Sequence, residues 1–118
     1  MDDKLKKSLE FSKYRQTLNN QISLLKNKTE TLLNFSINGG TFVIRPELMF
    51  IVQRLIDNGS TEATLLDKNT IPVRINNLES FLEEIDDRYF SVINEYVKEY
   101  ERLRKARDVE SILDLDEE

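Results

Sequence analysis

The stretch Leu33–Leu48, "LNFSINGGTFVIRPEL", decides how this chain folds. It holds two of the three glycines and one of the two prolines. Phe35 and Ile37 alternate with Asn34 and Ser36. After Asn38-Gly39-Gly40, Phe42 and Ile44 alternate with Thr41 and Val43. Apolar residues with a period of two belong to strands with one covered face. Asn and Gly accept the positive φ angles that a tight turn between two strands demands. A glycine pair can also cradle phosphate, but then the glycines must open a helix whose N–H groups face the anion, with Lys-Ser/Thr following. Here a strand follows and that pair is missing, so the stretch predicts a β-hairpin and no nucleotide site.

The elements on either side follow from the same reading. Upstream, no Gly or Pro interrupts residues 1–38. Leu18, Ile22, Leu25, Thr29 and Leu32 step by fours and threes, and Phe11 continues that stripe one heptad earlier. A long helix is expected from about residue 3 to 31. Downstream, "RPELMFIVQRLIDNGS" (residues 45–60) places Pro46 at a first helical position and Gly59 just past a last turn. The helix between is apolar nearly all round, which predicts a buried helix on the sheet, with Phe50 or Ile51 deep in the core. "ATLLDKNTIPVRI" (residues 63–75) reads as a second hairpin, with Asn69 suited to a left-handed turn position and Pro72 suited to an edge strand.

The last element is a long helix from 77 to about 107, roughly 45 Å at 1.5 Å per residue. Asn76 and Glu79 form its capping-box pattern. Leu78, Leu82, Ile85, Tyr89, Val92, Tyr96 and Leu103 make its stripe, widened by Phe81, Ile93, Val97 and Tyr100. The expected fold class is α+β: long N-terminal helix, β-hairpin, buried helix, second β-hairpin and long C-terminal helix, with a small antiparallel sheet. With 118 residues, residues 1–107 are expected to be a single domain with long terminal helices, and residues 108–118 an acidic tail.

Composition excludes several chemistries. Without cysteine there is no disulfide, thiolate metal site or Cys nucleophile, and without histidine the commonest general base and metal ligand are missing. No stretch approaches the length of apolar sequence a membrane span needs, and "MDDKLKKSLEF" has no apolar signal core. These features lead to the expectation of a cytoplasmic protein, in host cytoplasm or a virion if viral. The carboxylate cluster "EEIDD" (Glu83–Asp87) reads as the solvated face of a charged helix. The Asp67–Asn69 turn lacks the spacing of a calcium loop. The serines have no partner for nucleophilic catalysis. No enzyme activity, cofactor, metal or small-molecule substrate is expected.

Charge is uneven along the chain. The net of −5 divides into +4 for residues 1–28, −6 for 29–97, +3 for 98–107 and −6 for 108–118. Lys4, Lys6, Lys7, Lys13 and Arg15 cluster near the start of the first helix. Lys98, Arg102, Arg104, Lys105 and Arg107 cluster near the end of the last. Antiparallel packing of those helices would join the clusters at one pole, where Lys6, Lys7, Lys13, Arg15, Arg104 and Lys105 are the candidate phosphate contacts. The negative net charge and an acidic segment able to neutralise the pole weigh against nucleic acid as the main partner.

Heptad stripes on both terminal helices point instead to protein contacts. Tyr89, Tyr96, Tyr100, Leu103, Leu18, Ile22 and Leu25 are the candidate interface residues, since tyrosine combines large contact area with a polar tip. The expected function is a non-enzymatic assembly or interaction protein that self-associates or binds a protein partner. Its Asn/Ile/Lys-rich composition fits a small phage or viral accessory or structural component. The alternative is a regulator contacting nucleic acid or the transcription machinery through the basic helix ends.

Overall fold

The computed structural model describes residues 2–106. The elements run α1 (Asp3–Leu32), β1 (Asn34–Ile37), β2 (Gly40–Val43), α2 (Pro46–Asp57), β3 (Ala63–Leu66), β4 (Pro72–Ile75) and α3 (Leu78–Lys105). This is the α+β order read from the sequence, with one difference: the strands form two separate two-stranded antiparallel sheets. By their contacts the residues group into two units, Met1–Lys28 with Glu95–Glu118, and Thr29–Asn94. Arg107 and the acidic segment 108–118 lie outside the described residues.

The hairpin unit, Thr29–Asn94, is built on the opening stretch. Strands β1 and β2 pair Phe35 with Phe42 and Ile37 with Gly40. The turn between them is Asn38-Gly39, at φ 49° and 84°, the positive values a two-residue turn needs. Gly40 has no positive φ. It is buried in the strand, and a Cβ there would collide with Cγ2 of Val73 and lie 3.2 Å from Oδ2 of Asp67. The second of the two glycines is therefore required by close approach, not by turn geometry.

The second hairpin pairs Ala63 with Ile75 and Leu65 with Val73, so β4 alternates buried Val73 and Ile75 with exposed Pro72 and Arg74. Its left-handed residue is Thr70, at φ 62°, rather than Asn69. The amide N–H of Asn69 is instead held by Oδ1 of Asp67.

Helix α2 has the ends its sequence announces. Pro46 follows the N-cap Arg45. At the other end Gly59 has φ 92°, its N–H donates to the Ile56 carbonyl, and the Ser60 N–H donates to the Leu55 carbonyl. These two bonds are a Schellman motif. The expectation of a buried helix needs correction. Val52 is fully buried and Leu48, Met49, Leu55 and Ile56 pack beside the core, but Phe50 is 65% and Ile51 49% exposed. Two small sheets and one helix offer α2 a single surface to cover, so its other side faces outward.

The capping position of α3 also moves by one residue: Oδ1 of Asn77, not Asn76, accepts the Ser80 N–H at 3.0 Å. The core of this unit is Phe42, Ile44, Val52, Val73, Ile75, Leu78, Phe81 and Ile85, each 0–2% exposed. Phe81 lies 5.5 Å from Phe42 and 6.0 Å from Phe35, centroid to centroid.

Candidate interaction surfaces

In the unit Met1–Lys28 with Glu95–Glu118, the described residues belong to two helix segments. Asp2 caps α1, with its Oδ1 accepting the Lys4 N–H at 3.2 Å. Along α1, Tyr14, Thr17, Leu18, Gln21, Ile22 and Leu25 are half-buried and residues 2–13 are all exposed. Along α3, Tyr96, Glu99, Tyr100, Arg102 and Ala106 are half-buried and Leu103 is buried. The hydroxyl of Tyr14 donates to the carbonyl of Ala106 at 2.8 Å. From that bond, half-buried positions continue forward on α1 and backward on α3. A parallel arrangement would set Tyr96–Leu103 against residues 2–13, which cover nothing. The two segments therefore run antiparallel.

That contact brings basic residues from both helices together. Lys13 and Arg15 flank Tyr14 in sequence, and Arg104 and Lys105 immediately precede Ala106; all four are exposed. Lys6 and Lys7 are exposed one to two turns earlier on α1. Tyr96 and Tyr100 stack within 5.8 Å of each other, and Arg102 pairs with Glu99 at 3.4 Å.

Of the candidate interface residues, Leu18, Ile22, Leu25, Tyr96 and Tyr100 retain part of their surface, while Leu103 retains 5%. Tyr89 belongs to the hairpin unit, where it packs beside the core and edge-on to Phe90 at 5.4 Å. Among the described residues the most exposed apolar side chains are others: Phe50, Phe11, Leu66, Leu24 and Phe90, at 57–65%. Leu24 and Phe90 each stand next to a stripe residue, Leu25 and Tyr89. Stripe counting absorbs such neighbours into one broad apolar face and so misses them.

In the hairpin unit a single carboxylate joins the two hairpins. Asp67 is 7% exposed. Its Oδ2 accepts the Thr41 N–H at 2.9 Å, and its Oδ1 accepts the N–H groups of Ile71 at 2.9 Å and Asn69 at 2.8 Å. The Lys68 N–H donates back to the Thr41 carbonyl at 2.9 Å. The amides of Thr41, Ile71 and Asn69, with the neighbouring Lys68 charge, hold this carboxyl below its ordinary range against the opposing effect of burial. All three of these bonds come from backbone amides, which makes it a structural clasp between β2 and the β3–β4 turn. Nothing in the sequence except an Asp at the head of a turn signals this role.

Glu83, Glu84 and Asp87 are exposed on α3. Among the described residues no group of three or more His, Cys, Asp or Glu is placed to hold a metal ion. Among the same residues no helix is long and apolar enough to cross a membrane. No family model, curated protein or solved structure matches this chain.

Proposed function

We propose that this chain is a non-enzymatic interaction protein that assembles with a second protein chain, its own or another, through apolar side chains its core leaves uncovered. The observation that carries this reading is the exposure of Phe50 at 65% and Ile51 at 49%, adjacent on the outward side of α2. Apolar side chains left exposed side by side are the material of interfaces, and an exposed aromatic residue is a typical anchor. Light scattering coupled to size exclusion tests it. The expected result is a species heavier than the 13.9 kDa monomer, or a stoichiometric complex with a native partner. The double change Phe50→Asp with Ile51→Asp should abolish either one and leave circular dichroism intact. A monomer at all concentrations that binds no partner overturns the reading.

A second reading rests on the Tyr14–Ala106 bond, which draws Lys13, Arg15, Arg104 and Lys105 to one end of the helix pair. Such a cluster suits a phosphate-bearing polymer, and binding would then weaken steeply with added salt. Salt-insensitive assembly favours the first reading.

A further inference from the structure

We propose that the outer edge of β3 pairs antiparallel with β3 of a second copy, joining the two β3–β4 hairpins into one continuous sheet. The Asp67 N–H donates to the Ile71 carbonyl at 3.0 Å beside the turn. Bonded and non-bonded pairs alternate along an antiparallel ladder. Leu65–Val73 and Ala63–Ile75 are therefore bonded pairs, and the backbone groups of Thr64, Leu66, Pro72 and Arg74 point away from the hairpin. Pro72, which has no N–H, fits that assignment. The other strand edges are met from within the chain. On β2 the Thr41 N–H goes to Asp67 and its carbonyl accepts the Lys68 N–H. On β4 Pro72 offers no donor, and the Arg74 carbonyl accepts an N–H of Asn38 at 2.8 Å. On β1 the Asn34 carbonyl accepts an N–H of Arg88 at 3.5 Å. On β3, among the described residues, nothing outside the hairpin meets the backbone of Thr64 or Leu66, and both residues are exposed. The strand, Ala-Thr-Leu-Leu, also lacks the Lys or Pro that keeps free edges apart.

Self-complementarity identifies the occupant as a second copy. Antiparallel pairing centred on Leu65 sets Thr64 of each chain opposite Leu66 of the other, each pair exchanging both backbone bonds. A twofold axis satisfies both chains alike. Leu66, 60% exposed, then lies diagonal to its own counterpart on the outer face of the sheet. At the ends, Glu62 of each chain is brought toward Lys68 of the other. Both are exposed, and Glu62 keeps half of its side-chain surface open beside its own ion pair with Arg74. A shift by two residues sets Glu62 against Leu66 or Thr70 instead, so charge selects the register. A four-residue edge covers far less than the roughly 1,200 Å² that stable interfaces bury in total. The pairing therefore rests on the assembly reading above: it makes the partner a second copy and fixes how the two copies align.

The absence of cysteine permits a direct test, because a single introduced thiol can bridge only two chains. Full-length Thr64→Cys and Leu66→Cys proteins are mixed and oxidised, and the disulfide products are identified by mass spectrometry. Opposite positions 64 and 66 lie about 5.5 Å apart between Cα atoms, within disulfide reach, whereas the like pairs lie on diagonals of about 7–8 Å. The mixed disulfide should form several-fold faster than either like pair. Thr64→Pro removes an outward N–H and no bond to β4. It should lower the fraction of heavier species several-fold by light scattering, with the denaturant midpoint little changed. Equal rates for the three disulfides overturn the proposal, as does undiminished self-assembly of a folded Thr64→Pro protein. A heavier species without this disulfide preference, or a monomer that binds a native partner, removes the edge pairing and leaves the assembly reading standing. A monomer that binds nothing removes both.

Discussion

In the hairpin unit eight apolar side chains, from two sheets, two helices and the link after β2, fall to 0–2% exposure. In the helix-pair unit, among the described residues, only Leu103 passes below a tenth, at 5%. Apolar residues spaced by threes and fours run through both regions, although those of α1 gather on one face far more weakly than those of α2 and α3. The difference is geometric. A sheet face and two helices can enclose a residue from several sides, whereas two helices touch along one seam and leave most of each cylinder open. Stripe length in a sequence therefore indicates how far a contact runs, while the number of layers decides how dry it is. The hairpin unit is expected to carry most of the stability, and the helix pair to open at lower free energy.

Truncation in each region is the most direct way to break this comparison. Ile85→Ala should destabilise the chain by about 2–5 kcal/mol, as for other fully buried aliphatic residues. Leu25→Ala, on the half-buried seam, should lower it by less than half as much. Denaturant midpoints for both variants check this, and equal losses would mean the seam is as enclosed as the core.

Gly40 gives the next largest effect. Gly40→Val should cost about 1–3 kcal/mol by overpacking against Val73 and Asp67, and Gly40→Ala should not escape the penalty. Gly39→Asn should be nearly silent, because position 39 is surrounded by open space and needs only a residue that accepts positive φ. If position 39 proves the more sensitive, turn conformation dominates over hairpin contact.

Asp67 sharpens the comparison through pH. Its folded-state pKa is lowered, so the stability it contributes is complete above the ordinary carboxylate value of about 3.9. That contribution is lost as pH falls through the lower folded value. Asp67→Asn should therefore show a constant deficit at neutral pH that shrinks below about pH 4. Unfolding curves of both proteins across that range test it, and a deficit that persists unchanged in acid would remove the charge from the explanation.

The smallest effect concerns the helix pair. Tyr14→Phe removes the bond to the Ala106 carbonyl and should cost about 1 kcal/mol or less. Amide hydrogen exchange should quicken in residues 14–28 and 95–106, with the hairpin core unchanged. Faster exchange in both units would show that they open together.

How far the sequence reaches can be judged residue by residue. The Leu33–Leu48 stretch announced a hairpin and the following Pro46-initiated helix, and both are present; of the three residues read as its turn, Asn38 and Gly39 make it and Gly40 belongs to β2. It did not reveal that Gly40 faces Val73 across thirty-three positions, because a requirement for no side chain looks the same whether the cause is φ or a neighbour. Phe50 and Ile51 were misjudged for a related reason. An apolar helix all round implies two covering surfaces only if two exist, and here one side is open. The basic residues near each helix end were visible as clusters. That Lys13 and Arg15 come beside Arg104 and Lys105 depended on the direction in which the helices pack.

By itself, then, the sequence determined element order, helix ends and which strand residues face inward, since these follow from backbone chemistry and local periodicity. Only the tertiary structure decided that Asp67 clasps Thr41, that α2 keeps one side outward, and that Tyr14 meets Ala106. Each of those depends on what lies across a gap of many residues, and no local pattern encodes the far side of a contact.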